Sequence, residues 1–158
     1  DQMVLTIGYD ICNLTDPEIK GKYKGEITTD TYGRAVPKHA HGTVNLGRFT
    51  SSTKLIIDAV MDLFDQIVDK NLYVRRINIA ANHVIDENSK EDAATFEQLN
   101  LFTDYASEKT LLEREKKIQR AVLDIKRKFG KNAIIKGKNL EEGAMTIERN
   151  KQIGGHKA

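Results

Sequence analysis

Two stretches of this sequence carry residue types suited to recognition chemistry. Gln98-Leu99-Asn100-Leu101-Phe102 places three large apolar side chains within five residues, a few residues after the polar run Asp86-Glu87-Asn88-Ser89-Lys90-Glu91-Asp92, which no core could accept. Burying each such side chain is worth roughly 1.5–3 kcal/mol. The segment therefore either folds back on its own domain or docks as a peptide in a pocket of another protein. The second stretch is Arg75-Arg76, inside a β-type run. Guanidinium forks suit phosphate, but neighbours in a regular strand point to opposite faces. Only one arginine can then lie on a given face, unless twist or a bulge re-aims the pair. Arg48, Thr50, Ser51 and Ser52 precede a helical pattern, where free backbone amides attract anions. The alternative for the arginine pair is a solvated sheet face.

Other chemistry is weaker. His39 and His41 share a face at i, i+2, but only Asp30 or Cys12, brought in by folding, could add a ligand, whereas a structural zinc site wants four. No metal site is expected. Lys38, His39 and His41 instead border an exposed hairpin. Cys12, the single cysteine, excludes an internal disulfide and suits a reducing cytosol. As a packing residue it is expected to be half-buried. No Gly-rich phosphate loop, nucleophile elbow or HExxH motif is present, so no catalytic constellation supports a small complete enzyme.

The length of 158 residues suits one domain with an appended arm. No run approaches the length of a membrane span, and no secretory leader pattern opens the sequence. Asp1-Gln2 leads at once into an apolar strand without an initiator methionine, as expected of a fragment. Residues 1–102 hold 11 basic and 15 acidic side chains, whereas residues 103–158 hold 14 basic and 8 acidic. The basic end suits a polyanion or an acidic partner, or else is a solvated helix face.

The elements that must position these residues follow from periodicity and capping. Met3–Tyr9 alternates as a strand. Asn13–Gly25, with Pro17, reads as a loop or short helical turn. Glu26–Lys38 reads as a hairpin turning near Tyr32-Gly33, and Thr43–Phe49 as another strand. Thr50, Ser51 or Ser52 caps a helix whose apolar positions are Ile56, Ile57, Val60, Leu63, Phe64, Ile67 and Val68, closed by Asn71. Tyr73–Val84 is a strand with Val74, Ile77, Ile79 and Val84 as its apolar members. Glu108–Phe129 is a second amphipathic helix, with Leu111, Leu112, Ile118, Val122, Ile125 and Phe129 inward and Gly130 as its stop. Beyond Asn139 a mobile tail is expected.

Taken in this order, the sequence resembles the C-terminal part of a Y-family translesion DNA polymerase, of the UmuC-like branch of Gram-positive bacteria. The resemblance rests on Pro37-Lys38-His39-Ala40-His41-Gly42-Thr43, on Val74-Arg75-Arg76-Ile77, and on Ala133-Ile134-Ile135-Lys136-Gly137 with Glu148–Gly155. Gln-Leu-x-Leu-Phe at residues 98–102 is similar to the motif by which such polymerases attach to the replication sliding clamp, its Gln at the pocket rim and its Leu-Phe pair within.

The resemblance implies an α+β fold: an antiparallel sheet with an amphipathic helix on one face, plus a C-terminal helical arm. It makes residues 1–85 a little-finger-like DNA-binding domain beginning at its second strand, without the first strand and helix. Residues 86–106 become an acidic linker bearing the clamp motif, and residues 107–158 a basic helix and tail. Implied partners are duplex primer-template DNA, through Arg75, Arg76, Arg48, Thr50, Ser51 and Ser52, and the bacterial sliding clamp, through Gln98, Leu99, Leu101 and Phe102. Catalytic carboxylates and their magnesium belong to a palm that this sequence lacks, so no catalysis and no cofactor are expected of it. The implied setting is bacterial, cytoplasmic and devoted to DNA repair and damage tolerance. An open sheet edge makes a homodimer expected. The rival is a small interaction module that docks a non-DNA partner through the Leu-Phe segment.

Overall fold

The structure, a computed structural model of the chain, describes residues 1–86, 105–153 and 156–157. The chain divides into two units, Asp1–Leu101 and Phe102–Ala158. Both are mixed helix and strand or mostly helical, and together they give an α+β protein.

In the first unit, β1 (Gln2–Tyr9) is the centre of the fold. Its alternation buries Met3, Leu5, Ile7 and Tyr9, with Leu5 and Ile7 fully out of solvent, as expected of a strand with one face on a core. Two short helices follow, α1 (Cys12–Thr15) and α2 (Pro17–Lys20). Asp16 caps α2 through a bond from the Glu18 amide, and Pro17 takes the first helical position, where no amide is needed. β2 (Ile27–Thr29) and β3 (Ala35–Pro37) form the hairpin, turning through Gly33 at φ +77°. β4 (Ala40–Asn45) lies antiparallel to β1. It begins earlier than the alternation of Thr43–Phe49 suggested and ends before Gly47, whose left-handed φ of +72° breaks the extended chain.

Helix α3 (Thr53–Ile67) is capped by the Ser52 hydroxyl, which accepts from the Leu55 amide at 3.3 Å. It ends at Ile67, short of Asn71, which instead closes a small turn on the Asp69 carboxylate. Val60 and Leu63 complete the core with Leu72, and Ile56, Phe64, Ile67 and Val68 pack around it. Ile57, expected on the buried face, is 44% exposed. Gly42 permits the close approach of α3 to β4: a Cβ there would stand 2.9 Å from Leu63 Cδ1.

Strand β5 (Val74–Asn82) pairs with the other side of β1, so the sheet order is β4-β1-β5. Opposite residues of an antiparallel pair share a face. Ile77 and Ile79 thus lie on the core side, opposite the fully buried Ile7 and Leu5, yet they are 49% and 56% exposed. The reason is geometric. A helix about 10 Å wide covers about two strands spaced ~4.8 Å apart, and α3 packs on β1 and β4.

The second unit opens with α4 (Tyr105–Phe129), which stops at Gly130 (φ +94°) with the Gly130 amide on Lys126 O. Lys126, Arg127 and Lys128 in its last turn complement the helix dipole. Leu111, Ile118 and Phe129, expected inward, are exposed, whereas Leu112, Val122 and Ile125 are half-buried. The segment after Asn139, expected to be mobile, is organised. It contains α5 (Thr146–Asn150) and a two-residue ladder between β6 (Gln152–Ile153) and β7 (His156–Lys157). Polar bonds tie it down: Asn150 donates to Asn132 Oδ1 at 2.6 Å, and Thr146 donates to Asn139 Oδ1 at 3.1 Å.

Candidate nucleic-acid interface

The face of the sheet turned away from α3 is built from Gln2, Val4, Thr6 and Gly8 of β1, Asn45, Thr43 and His41 of β4, and Asn82, Ala80, Asn78 and Arg76 of β5. These described strand residues include no carboxylate. At one end an amide ladder crosses all three strands: Asn82 donates to Gln2 Oε1 at 2.9 Å, and Gln2 donates to Asn45 Oδ1 at 3.0 Å. Further along, His41 Nδ1 and Thr6 Oγ1 share a hydrogen bond of 3.0 Å.

The arginine pair sits at an irregularity. Pairing runs regularly from Gln2↔Asn82 to Gly8↔Arg76, then shifts so that Tyr9 faces Val74. Arg75 is the extra residue of this bulge. Bulges re-aim side chains, and here Arg75 and Arg76 both line one cleft of about 400 Å³ between the outer sheet face and the β2–β3 hairpin. Strict alternation, which would set them on opposite faces, is broken at this point.

Their surroundings differ. Arg75 Nη1 donates to Asp10 Oδ2 at 3.0 Å. Asp10 is held down to about 2, first by the Cys12 backbone amide on Oδ1 (2.9 Å), then by the Cys12 side chain and by Arg75. The same carboxylate raises the Cys12 thiol. Cys12 is exposed and not half-buried, because its place in the first turn of α1 aims it outward. Arg76 has no ion-pair partner among the described residues and shares the lining of the cleft with Thr6, Asn78 and His39.

On the hairpin side, Asp30 organises the turn. Its Oδ1 accepts from the Tyr32 and Arg34 amides at 2.9 Å each, and its Oδ2 from Arg34 Nε and Nη2 at 2.9 and 2.7 Å. Arg34 lowers the Asp30 carboxyl in return. The Arg34 guanidinium lies 5.0 Å from the centroid of the Tyr32 ring.

The helix-start residues fall elsewhere. Thr50 and Ser51 line a different cleft, beside Asp1, His83 and Asp86, where acidic neighbours oppose phosphate. Ser52 is buried and its hydroxyl is spent as the helix cap, while its amide donates to Thr50 Oγ1 at 3.1 Å. Arg48 is half-buried in the loop leading to the helix. Arg48, Thr50, Ser51 and Ser52 thus do not join Arg75 and Arg76 in the one cleft. Gln98, Leu99, Leu101 and Phe102 lie outside the described residues. Among the described residues, no group of three or more His, Cys, Asp or Glu could hold a metal ion. No helix among them is long and apolar enough to cross a membrane.

Sequence reasoning missed Asn78 and Tyr32 as members of this cleft, and Asp10 as the partner of Arg75. The Asp30-Thr31-Tyr32-Gly33 turn was the available signal, since an aspartate two residues before an aromatic residue at a tight turn fixes the backbone of that aromatic. The chain matches no protein-family model, no curated protein and no solved structure at a significant level.

Proposed function

We propose that this chain is a DNA-binding and clamp-tethering portion of a bacterial, cytoplasmic translesion DNA polymerase, without catalysis of its own. The observation that carries the reading is the convergence of Arg75 and Arg76 on one cleft beside a carboxylate-free sheet face. Guanidinium groups and neutral amide and hydroxyl donors together suit sequence-independent phosphate contact. The resemblance of Gln98–Phe102 to a clamp motif supplies the tether, which raises the local concentration of the sheet at DNA.

Duplex binding titrated against salt tests this reading. Arg76→Ala should weaken binding about equally across sequences and lower the salt slope by about one contact. Unchanged affinity and slope would move the DNA face to the basic helix α4. Clamp affinity is expected near the micromolar range, about −8 kcal/mol, and Leu101→Ala with Phe102→Ala should abolish it, because buried anchors dominate such interfaces. The rival reading is a module that docks a non-DNA partner through the Leu-Phe segment, to which α4 adds the exposed apolar Leu111, Ile118 and Phe129. It predicts no salt-dependent DNA binding.

A further inference from the structure

Tyr32 stands at the tip of the β2–β3 hairpin with 81% of its surface exposed. It is nonetheless held in place. Asp30 Oδ1 binds the Tyr32 amide, and Asp30 Oδ2 locks Arg34, whose guanidinium lies against the Tyr32 ring. One face of the ring thus carries a fixed cation, while the high exposure leaves area for a second stacking partner. An aromatic ring backed by arginine and fixed by a turn is a ready platform for another planar group. The same cleft holds Arg76, with no ion-pair partner among the described residues, and the hydrogen-bonding side chains of Thr28, Thr31, His39 and Asn78.

We infer that this cleft binds single-stranded nucleic acid, with one unpaired base stacked on Tyr32 and a neighbouring phosphate on Arg76. A duplex keeps its base faces inside the stack, so only an unpaired nucleotide can use the ring, and a cleft of about 400 Å³ is of nucleotide size. Thr28, Thr31 and Asn78 can bond any base edge or sugar, so little sequence preference follows. The inference rests on the reading of the outer sheet face as a nucleic-acid surface and adds the strand state of what lies under the hairpin.

The test is fluorescence anisotropy of the full chain with a labelled oligothymidylate and, separately, a labelled duplex, for the wild type, Tyr32→Ala, Tyr32→Phe and Arg76→Ala. Thermal melts confirm that each variant is folded. Tyr32→Ala should weaken oligothymidylate binding about 5- to 150-fold, the range for losing one stacked base, and leave duplex binding unchanged. Tyr32→Phe should stay within about threefold of the wild type, since the ring face is kept, and Arg76→Ala should weaken both ligands. Oligothymidylate binding that is absent, or indifferent to Tyr32→Ala, while the duplex still binds overturns the stacking site and leaves the duplex reading standing. Failure of the wild type to bind either ligand overturns both.

Discussion

The side-chain amide of Asn13 bonds both backbone groups of Tyr73, beside the Asp10 amide, which donates to Tyr73 O at 2.9 Å. Asn13 Nδ2 donates to Tyr73 O at 3.0 Å and its Oδ1 accepts from the Tyr73 amide at 2.8 Å. Nδ2 also reaches Asp10 O at 2.9 Å, and Asn13 is wholly buried. This one side chain joins the end of β1 to the start of β5, immediately before the bulge that aims Arg75 and Arg76 into the cleft.

Replacing Asn13 therefore tests structure and site together. Asn13→Ala leaves the Tyr73 amide without its partner, whereas Tyr73 O keeps the bond from the Asp10 amide at 2.9 Å, and should cost about 1–3 kcal/mol in urea unfolding, the range for one orphaned group. Asn13→Asp should cost at least as much, because a carboxylate replaces the donor facing two carbonyl oxygens. Equal midpoints for Asn13→Ala and the wild type would show that the bulge is held by the strand pairing alone.

Asp10 makes the same corner sensitive to acid. Its carboxyl is lowered from an ordinary 3.8 to about 2, so the folded state favours the ionised form. The resulting stabilisation is complete above the ordinary value and is lost as the pH falls from about 4 towards 2. Its size should be on the order of 1 kcal/mol, since the pair with Arg75 is partly open to solvent. Urea midpoints measured across that range should fall more steeply for the wild type than for Asp10→Asn. Parallel curves would show that the Cys12 and Arg75 bonds survive unfolding or contribute nothing.

Gly42 offers a packing test on the other side of β1. A Cβ at this position meets Leu63 Cδ1 at 2.9 Å and Ile67 at 3.4 Å. Gly42→Ala asks only for a rotamer shift of Leu63, whereas Gly42→Val forces α3 away from the sheet. Expected losses are under about 1.5 kcal/mol for alanine and about 1–3 kcal/mol for valine, as for overpacked cores generally. Thermal unfolding resolves the two, and equal costs would mean that α3 is free to slide on β4.

Much of this fold was legible in the sequence because one-sided burial leaves a period. Met3, Leu5, Ile7 and Tyr9 alternate and are buried; Ser52 precedes an apolar helical stripe and caps it; Tyr32-Gly33 turns the hairpin. The site was less legible because its geometry arises between segments distant in sequence. The bulge at Arg75 exists only through the register against Gly8 and Tyr9, and Asn13 answers backbone groups sixty residues away. Polar ties such as Asn150 to Asn132 leave no hydrophobic period, so the order after Asn139 was not visible. The exposure of Ile77 and Ile79 was also hidden, because strand propensity records pairing and not whether a helix lies above.

Those two isoleucines support a last expectation. They stand half-exposed on the core side of β5, a strand nine residues long that pairs with β1 on one side. Edge strands that avoid self-pairing usually carry an inward charge, a proline or a central bulge. In β5 the bulge lies near the start, at Arg75, and the later positions Ile77, Ile79 and Ala81 place no charge on the core side. Two copies arranged antiparallel about Asn78 would set Ile77 against Ile79 and keep the arginines opposite alanines, so neither charge nor shape opposes a dimer. Ile77→Thr with Ile79→Thr keeps strand propensity and removes apolar surface that is already half in water, so unfolding free energy should change by less than about 1 kcal/mol. Light scattering at rising concentration should report self-association for the wild type and a monomer for the double variant. A wild type that stays monomeric at high concentration would exclude pairing through β5.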